Sequence, residues 1–201
     1  MGFISTSAMT ELQAVNLLLA GIGEAAVSSL ETATTVEVTQ AKKLLSNTNR
    51  SLQQKGWHFN TEWDVTLSVN GDNQIPLGNS IMSVLVPGTL TTLRGINGSM
   101  FLYDLDNNTF TFTANKTNAV TITLLEFVDT PQTFRQYVTA RCVRIFQEEI
   151  IGQVSAESVN RLEEAEAYAD LLDDEADRSG LNVGYSDIAM YNTTKKYRKL
   201  Y

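Results

Sequence analysis

His58 is the single histidine of the chain and Cys142 the single cysteine. A metal site or a Ser-His-Asp arrangement would depend on His58 alone. It falls on the polar side of an alternating segment, so the expectation is an exposed strand residue. Cys142 lies on the apolar face of a helical pattern with no histidine to activate it, which favours a buried structural thiol. Asp104-Leu105-Asp106-Asn107-Asn108 starts like a calcium loop. It lacks the glycine at the sixth position and the glutamate at the twelfth, so a β-turn is expected instead. Gly21-Ile22-Gly23 stands at the end of a helical pattern, where its backbone donors could not meet a phosphate. The acidic residues between Glu157 and Asp177 could offer a carboxylate pair for glycoside hydrolysis, which needs one carboxyl in an apolar pocket and another about 5–10 Å away. Glu163, Glu164 and Glu166, then Asp170, Asp173, Asp174 and Glu175, read instead as the solvated face of a helix. No cofactor is implied.

The elements that would position these residues are legible. Thr10-Glu11-Leu12-Gln13 is a capping box. Leu12, Val15, Leu19 and Ile22 then follow at helical spacing, and Gly21 and Gly23 mark the stop. Thr34-Thr35-Val36-Glu37 opens a second helix with a Val38, Ala41, Leu45, Leu52 stripe that stops at Gly56. From Trp57 to Val69 the period changes to two, which predicts a long strand. Asn70-Gly71 predicts a hairpin turn. Short strands are expected over 81–86, 100–104, 109–113 and 120–127, separated by turns such as Asn97-Gly98, to give a meander. Thr130-Pro131 restarts helix with threonine as cap and proline in the first turn, and Phe134, Val138, Cys142, Ile145 and Phe146 form its stripe. Ser155 is expected to cap a fourth helix, ended by Gly180, whose inward face would be Ala165, Ala169, Leu172 and Ala176. The fold class is therefore α+β: a four-helix body (1–56 and 130–180), an inserted antiparallel β-rich module (57–129) and an extended C-terminal arm (181–201).

The net charge of −8 is unevenly spread: residues 57–130 carry −5, 155–180 carry −7 and 181–201 carry +3. An acidic chain is poorly suited to wrapping nucleic acid. The N-terminus lacks the basic start and apolar run of a signal peptide. No apolar stretch approaches the roughly 18 residues that span a bilayer, so no membrane partner is expected. A lone cysteine suits a reducing compartment.

Four segments in register carry a resemblance. They are Glu11-Leu12-Gln13-Ala14-Val15-Asn16 with Ala20-Gly21-Ile22-Gly23-Glu24; Val27-Ser28-Ser29-Leu30-Glu31; Gly56-Trp57-His58-Phe59-Asn60; and Thr130-Pro131-Gln132-Thr133-Phe134-Arg135-Gln136-Tyr137. Their order and spacing resemble the tail tubular protein A family of T7-like podoviruses, the head-to-tail adaptors, over nearly the whole chain. The resemblance implies a non-enzymatic structural protein of the virion tail, assembled in the bacterial host cytoplasm. It implies a ring of twelve copies between the portal protein and the nozzle (tail tubular protein B), with genomic DNA passing through the channel it lines. On that reading the arm docks on the portal through Tyr185, Tyr191, Lys195, Lys196, Tyr197, Arg198, Lys199 and Tyr201, since tyrosine and arginine are favoured interface anchors. Loop residues Asn70, Asp72, Asp106, Asn107 and Asn108 would face the nozzle. Glu163, Glu166, Asp170 and Asp173 would line the channel, where carboxylates repel phosphates. The alternative from another class is a tail-associated carbohydrate-binding or glycan-hydrolysing protein that uses the β-module and its acidic residues.

Overall fold

The computed structural model describes residues 8–32, 35–152 and 157–179. Among them are four helices, α1 (Glu11–Gly21), α2 (Val36–Gln53), α3 (Gln132–Ile150) and α4 (Glu157–Ser179). Six strands lie between α2 and α3: β1 (Thr61–Leu67), β2 (Pro76–Leu77), β3 (Ile81–Leu85), β4 (Thr91–Ile96), β5 (Ser99–Asp104) and β6 (Lys116–Thr123). The α+β class is as expected.

The helices begin and end for local reasons. Thr10 and Gln13 close the expected capping box on α1. At its other end the left-handed residue is Gly23 (φ 82°) alone. There Gly23 N–H donates to the Ala20 carbonyl and Glu24 N–H to the Leu19 carbonyl, a Schellman stop. Gly21 remains helical and serves closeness instead, because a Cβ there would lie 3.0 Å from Gln147 Nε2. Thr130 does not cap α3 with its side chain. Its hydroxyl donates back to the Phe127 carbonyl (2.8 Å), and Pro131 takes the cap position. The Thr130 carbonyl is taken by Arg135 Nε at 2.7 Å, so the short 3₁₀ turn Phe127–Asp129 is tied to α3 through an arginine.

α3 packs against α1, α2 and α4. Their shared core is rich in aromatics: Trp57, Phe127, Phe134, Tyr137 and Phe146 are buried with Val15, Leu18, Leu45 and Leu171. The period-two pattern at Trp57 and Phe59 is not a strand. Asn60 Oδ1 accepts from the Trp57 N–H (2.8 Å) and closes a turn. Both rings enter the helical core, at 6.0 and 4.9 Å from Phe134. The strand proper starts at Thr61 and bends at Asp64, whose positive φ of 56° accompanies a register shift against β6.

The strands do not form a meander. They make two antiparallel sheets of three, in the orders β1-β6-β3 and β2-β5-β4. Both sheets contribute to one aliphatic core of Leu67, Ile75, Leu77, Val84, Leu102 and Ala119. The two Asn-Gly pairs behave differently. Asn97 (φ 51°) and Gly98 (φ 83°) make the β4–β5 hairpin turn. Asn70-Gly71 makes none: β1 pairs with β6, and the strand that follows the turn, β2, pairs with β5 in the other sheet. The Asn70 side chain instead accepts from the N–H groups of Asp72 and Gln74 and turns the chain into the other sheet. Residues 109–113 form only isolated bridges, Thr109 to Asp104 and Thr111 to Gln74. β6 ends at Thr123, because Phe127 leaves the sheet for the helical core.

α4 turns a different face inward from the one expected. Leu171 is fully buried, with Ala167 and Tyr168 packed beside it. Ala165, Ala169, Leu172 and Ala176 are exposed. The sequence pattern favoured the all-apolar row. α3 instead offers arginines, so a mixed row with acidic members faces it. One residue along a helix is about 100° of rotation, enough to exchange the two rows. The proposed caps Ser155 and Gly180 lie outside the described residues.

Candidate functional site

The outer helix α4 is held to the body by polar contacts at both ends and by apolar packing between them. At its start the Asn160 amide donates to Gln147 Oε1, and Gln147 Nε2 donates to the Gly21 carbonyl at 2.6 Å. One turn on, the Glu164 carboxylate takes Arg141 (3.0 Å) and the Nε of Arg144. Arg144 also meets Glu148 at 2.9 Å. Glu164, then Glu148, favour the charged guanidinium and push its pKa up. In the middle Tyr168 stacks against Tyr137 with ring centres 4.9 Å apart. At the far end Asp174 accepts from Thr133 (3.1 Å) and Arg178 (2.9 Å), and Arg178 above all holds its carboxyl below the usual range. Glu175 takes the His58 ring Nδ1 at 2.6 Å and the His58 backbone N–H at 3.0 Å.

His58 is thus a half-buried anchor for α4 in the turn before β1, not an exposed strand residue. The strand stops short of it, and Glu175 comes over it. Cys142 is buried as expected; desolvation pushes its thiol up to about 12, which leaves it unreactive at neutral pH. An open cleft of about 360 Å³ lies between α3 and α4, lined by Tyr137, Arg144, Arg161, Glu164, Ala165 and Tyr168. Its carboxylate is the one that both arginines already hold.

The acidic residues therefore divide. Glu164, Asp174 and Glu175 face inward with partners, whereas Glu163, Glu166, Asp170 and Asp173 are exposed. Their spacing of three and four residues sets these four in one row along α4.

The loop residues also come together. Asp104 is buried, and its carboxylate accepts from the N–H groups of Asp106 (2.9 Å) and Asn107 (3.0 Å) and from the Asn107 amide (2.9 Å). These bonds, led by the Asn107 side chain, hold its pKa down. This is the expected turn, with Asp106, Asn107 and Asn108 exposed on it. Asp106 turns back to accept from the Leu90 N–H. Residues 109–112 connect this turn to the Asn70–Asp72 turn through the Thr111 to Gln74 bridge and the Phe112 N–H to the Asn73 carbonyl. Among the described residues no group of three His, Cys, Asp or Glu side chains is placed to hold a metal. No described helix is long and apolar enough to cross a membrane.

One cluster escaped the sequence reading. Gln53 (fully buried), Asn60 and Asn49 form an amide lattice where the sheets join the helices. Gln53 Nε2 donates to Asn49 Oδ1 and to the Leu125 carbonyl, both at 2.9 Å, and Gln53 Oε1 accepts from the Leu125 N–H at 2.8 Å. Asn60 Nδ2 donates to the Gln53 and Thr123 carbonyls. The available sign was that Asn49 and Gln53 extend the inward row of α2 beyond Leu45 with amides.

The family model for tail tubular proteins matches residues 12–181, from within α1 to just past α4. The chain belongs to the tail tubular protein family. It is a structural protein of the phage tail, a component of the virion that assembles with other tail proteins. No curated protein matches this tail protein. For such a subunit the working parts are surfaces. Of the surfaces expected to make contacts, the outer face of α4 and the linked loops of the β-module lie within the described residues. The arm residues Tyr185 to Tyr201 lie outside the described residues.

Proposed function

We propose that this tail tubular protein is the adaptor ring between portal and nozzle, twelve copies around the channel through which the genome leaves. The observation that carries this reading is the family match over residues 12–181. The exposed carboxylates of α4 agree with it. Glu163, Glu166, Asp170 and Asp173 give a wall that repels passing phosphates, where a basic wall would retain them. The β-module leaves the helices at Asn60 and returns at Thr123, whose N–H donates to the Asn60 carbonyl. The turn holding Asn70 and Asp72 therefore lies at the end of its sheet away from the helices. Together with the linked Asp106–Asn108 turn it supplies the surface for the nozzle. The arm from 181 to 201, with its tyrosines and its +3 charge, docks on the portal.

Electron microscopy of the purified protein, alone and mixed with portal and nozzle proteins, tests the reading. Rings that join the two are expected. A chain truncated after Leu181 should still form rings and lose portal binding. Substituting Asp72 and Asp106 by lysine should weaken nozzle binding only. A protein that joins neither neighbour would overturn the adaptor role, and glycan cleavage by the intact chain would favour the carbohydrate-directed alternative.

A further inference from the structure

Amphipathic helices bury one apolar row, but α4 carries two. Ala167, Tyr168 and Leu171 face the body. On the far side Leu162, Ala165, Ala169 and Leu172 form a second row, with Leu162 59% and Leu172 42% exposed. The row steps by three, four and three residues, the spacing of a helix-pairing seam. Its alanines would let another backbone come close. The acidic row stands one residue further along the chain, about 100° round the helix. A surface that covers the apolar row must therefore also bring positive charge along one flank.

This chain holds such a surface. The exposed row of α2 runs Val36, Gln40, Lys43, Asn47, Arg50. It has no acidic member, and Val36 is 65% exposed. Lys43 and Arg50 are seven residues apart, as are Glu166 and Asp173, so the charges repeat at the same interval of about 10 Å on both helices. Long basic side chains lay their stems on apolar surface while the charged ends reach sideways, which suits an apolar row with acids beside it. α2 and α4 each pack on α3 and turn their buried rows into one shared core, which leaves the two exposed rows for contacts between copies. Contact between two different patches propagates head to tail and can close a ring. An antiparallel α4–α4 pair would set acid against acid.

We infer that the α4 row Leu162, Ala165, Ala169, Leu172 is a seam for a second copy of this chain, filled by that copy's α2 row through Lys43 and Arg50. The inference deepens the ring reading above and rests on it. Two cations against four carboxylates leave the acidic flank negative, so the seam and the channel wall are compatible.

Charge reversal in the full chain tests it. The double variant K43E/R50E should keep its helical circular dichroism and weaken self-association about tenfold or more at moderate salt. Adding E166K/D173K should restore most of the loss. Asn47→Cys with Ala169→Cys should give ladders of disulfide-linked chains on oxidation, while the buried Cys142 stays silent. A chain ending at Leu181 should still cross-link. Self-association unmoved by K43E/R50E, or no rescue by the reversed pair, would overturn the seam and leave the ring reading standing. Efficient dimers from Ala169→Cys alone would assign the row to an α4–α4 contact, and loss of the ladder on truncation would assign it to residues 181–201. Either outcome overturns the proposal. Wild-type chain that stays monomeric at high concentration would remove the ring reading itself.

Discussion

The helical core and the core of the β-module are built from different materials. Around Phe134 the helices bury Trp57, Phe127, Tyr137 and Phe146, with edge-to-face ring contacts. The buried cluster shared by the two sheets holds one aromatic, Phe112, and is otherwise Leu, Ile, Val and Ala, while Tyr103 of β5 is buried beside Phe110. The sheets compensate with turn chemistry. Asn73, Asn97, Asn108 and Asn118 all sit at positive φ, and Asp104 and Asn70 each tie a turn with side-chain oxygens. The difference assigns roles. Bulk packing should set the stability of the helical body, while backbone-directed hydrogen bonds set the shape of the β-module. The Gln53–Asn60 lattice is where the two are coupled.

The largest effect should come from the helical side. Trp57→Ala empties a large aromatic site and removes the Nε1–H bond to the Leu52 carbonyl (2.9 Å), and should cost about 3–5 kcal/mol in chemical denaturation. A cost below about 1 kcal/mol would mean that aromatic packing does not set the stability of the helical body. Gln53→Ala should come next. It leaves the half-buried Leu125 N–H without its acceptor, at about 1–3 kcal/mol. Hydrogen exchange should then rise more in β6 than in α3; equal protection would mean that the lattice does not couple the two parts. Gly56 stands between them with φ 75°, and a Cβ there would lie 2.8 Å from Ile122 Cδ1. Gly56→Ala should cost roughly 1–2 kcal/mol from the left-handed backbone, more if Ile122 cannot move.

Turn chemistry predicts a smaller, pH-dependent effect. The bonds to Asp104 hold its folded pKa below the ordinary value of 3.8. A depressed carboxylate contributes stability in full above its unfolded pKa, and that stability is lost as pH falls through the folded value. Asp104→Asn should therefore be less stable than wild type at pH 7, with the gap narrowing below about pH 4. Denaturation midpoints from pH 7 down to 2.5 would show it. A gap that stays constant would mean that the charge does not hold the turn.

How much was legible follows the same division. Local rules read well: the Thr10 capping box, the Asn97-Gly98 turn and the Asp104 turn each depend on residues within a few positions, and the structure has all three, though the strand that precedes Asn97, β4 (Thr91–Ile96), was not expected. Pairing read poorly. Asn70-Gly71 has the composition of a hairpin, but β1 takes its partner from β6, some fifty residues later. Trp57 and Phe59 alternate like strand residues because a turn can aim both rings the same way. On α4 apolarity alone selected the wrong row, since the arginines that draw Glu164 inward belong to another helix. Of the candidate site, the exposed acidic row and the loops were readable as surface, while the amide lattice was not, because its only sign was the place of Asn49 and Gln53 on the inward row of α2 and their partners come from residues 123–125.

The smallest effect on the isolated subunit should come from Leu172, and it bears on the row that sequence and structure assign differently. Leu171 and Leu172 are neighbours in composition and position. Leu171 is fully buried and Leu172 is 42% exposed. Leu171→Ala should cost about 2–5 kcal/mol, as for other buried leucines. Leu172→Ala should stay within about 0.5 kcal/mol, as for surface changes away from special features. It should still weaken self-association, because in the assembly that leucine is covered by the next copy. Denaturation of dilute monomer and sedimentation of concentrated protein separate the two quantities. If Leu172→Ala destabilised the monomer as much as Leu171→Ala, α4 would be packed by the row its sequence favours and the outward seam would not exist. If it altered neither quantity, the row would be plain solvent-facing surface. Only the split result, a stable monomer with weakened assembly, fits a helix that spends one apolar row on its own fold and keeps the other for its neighbour.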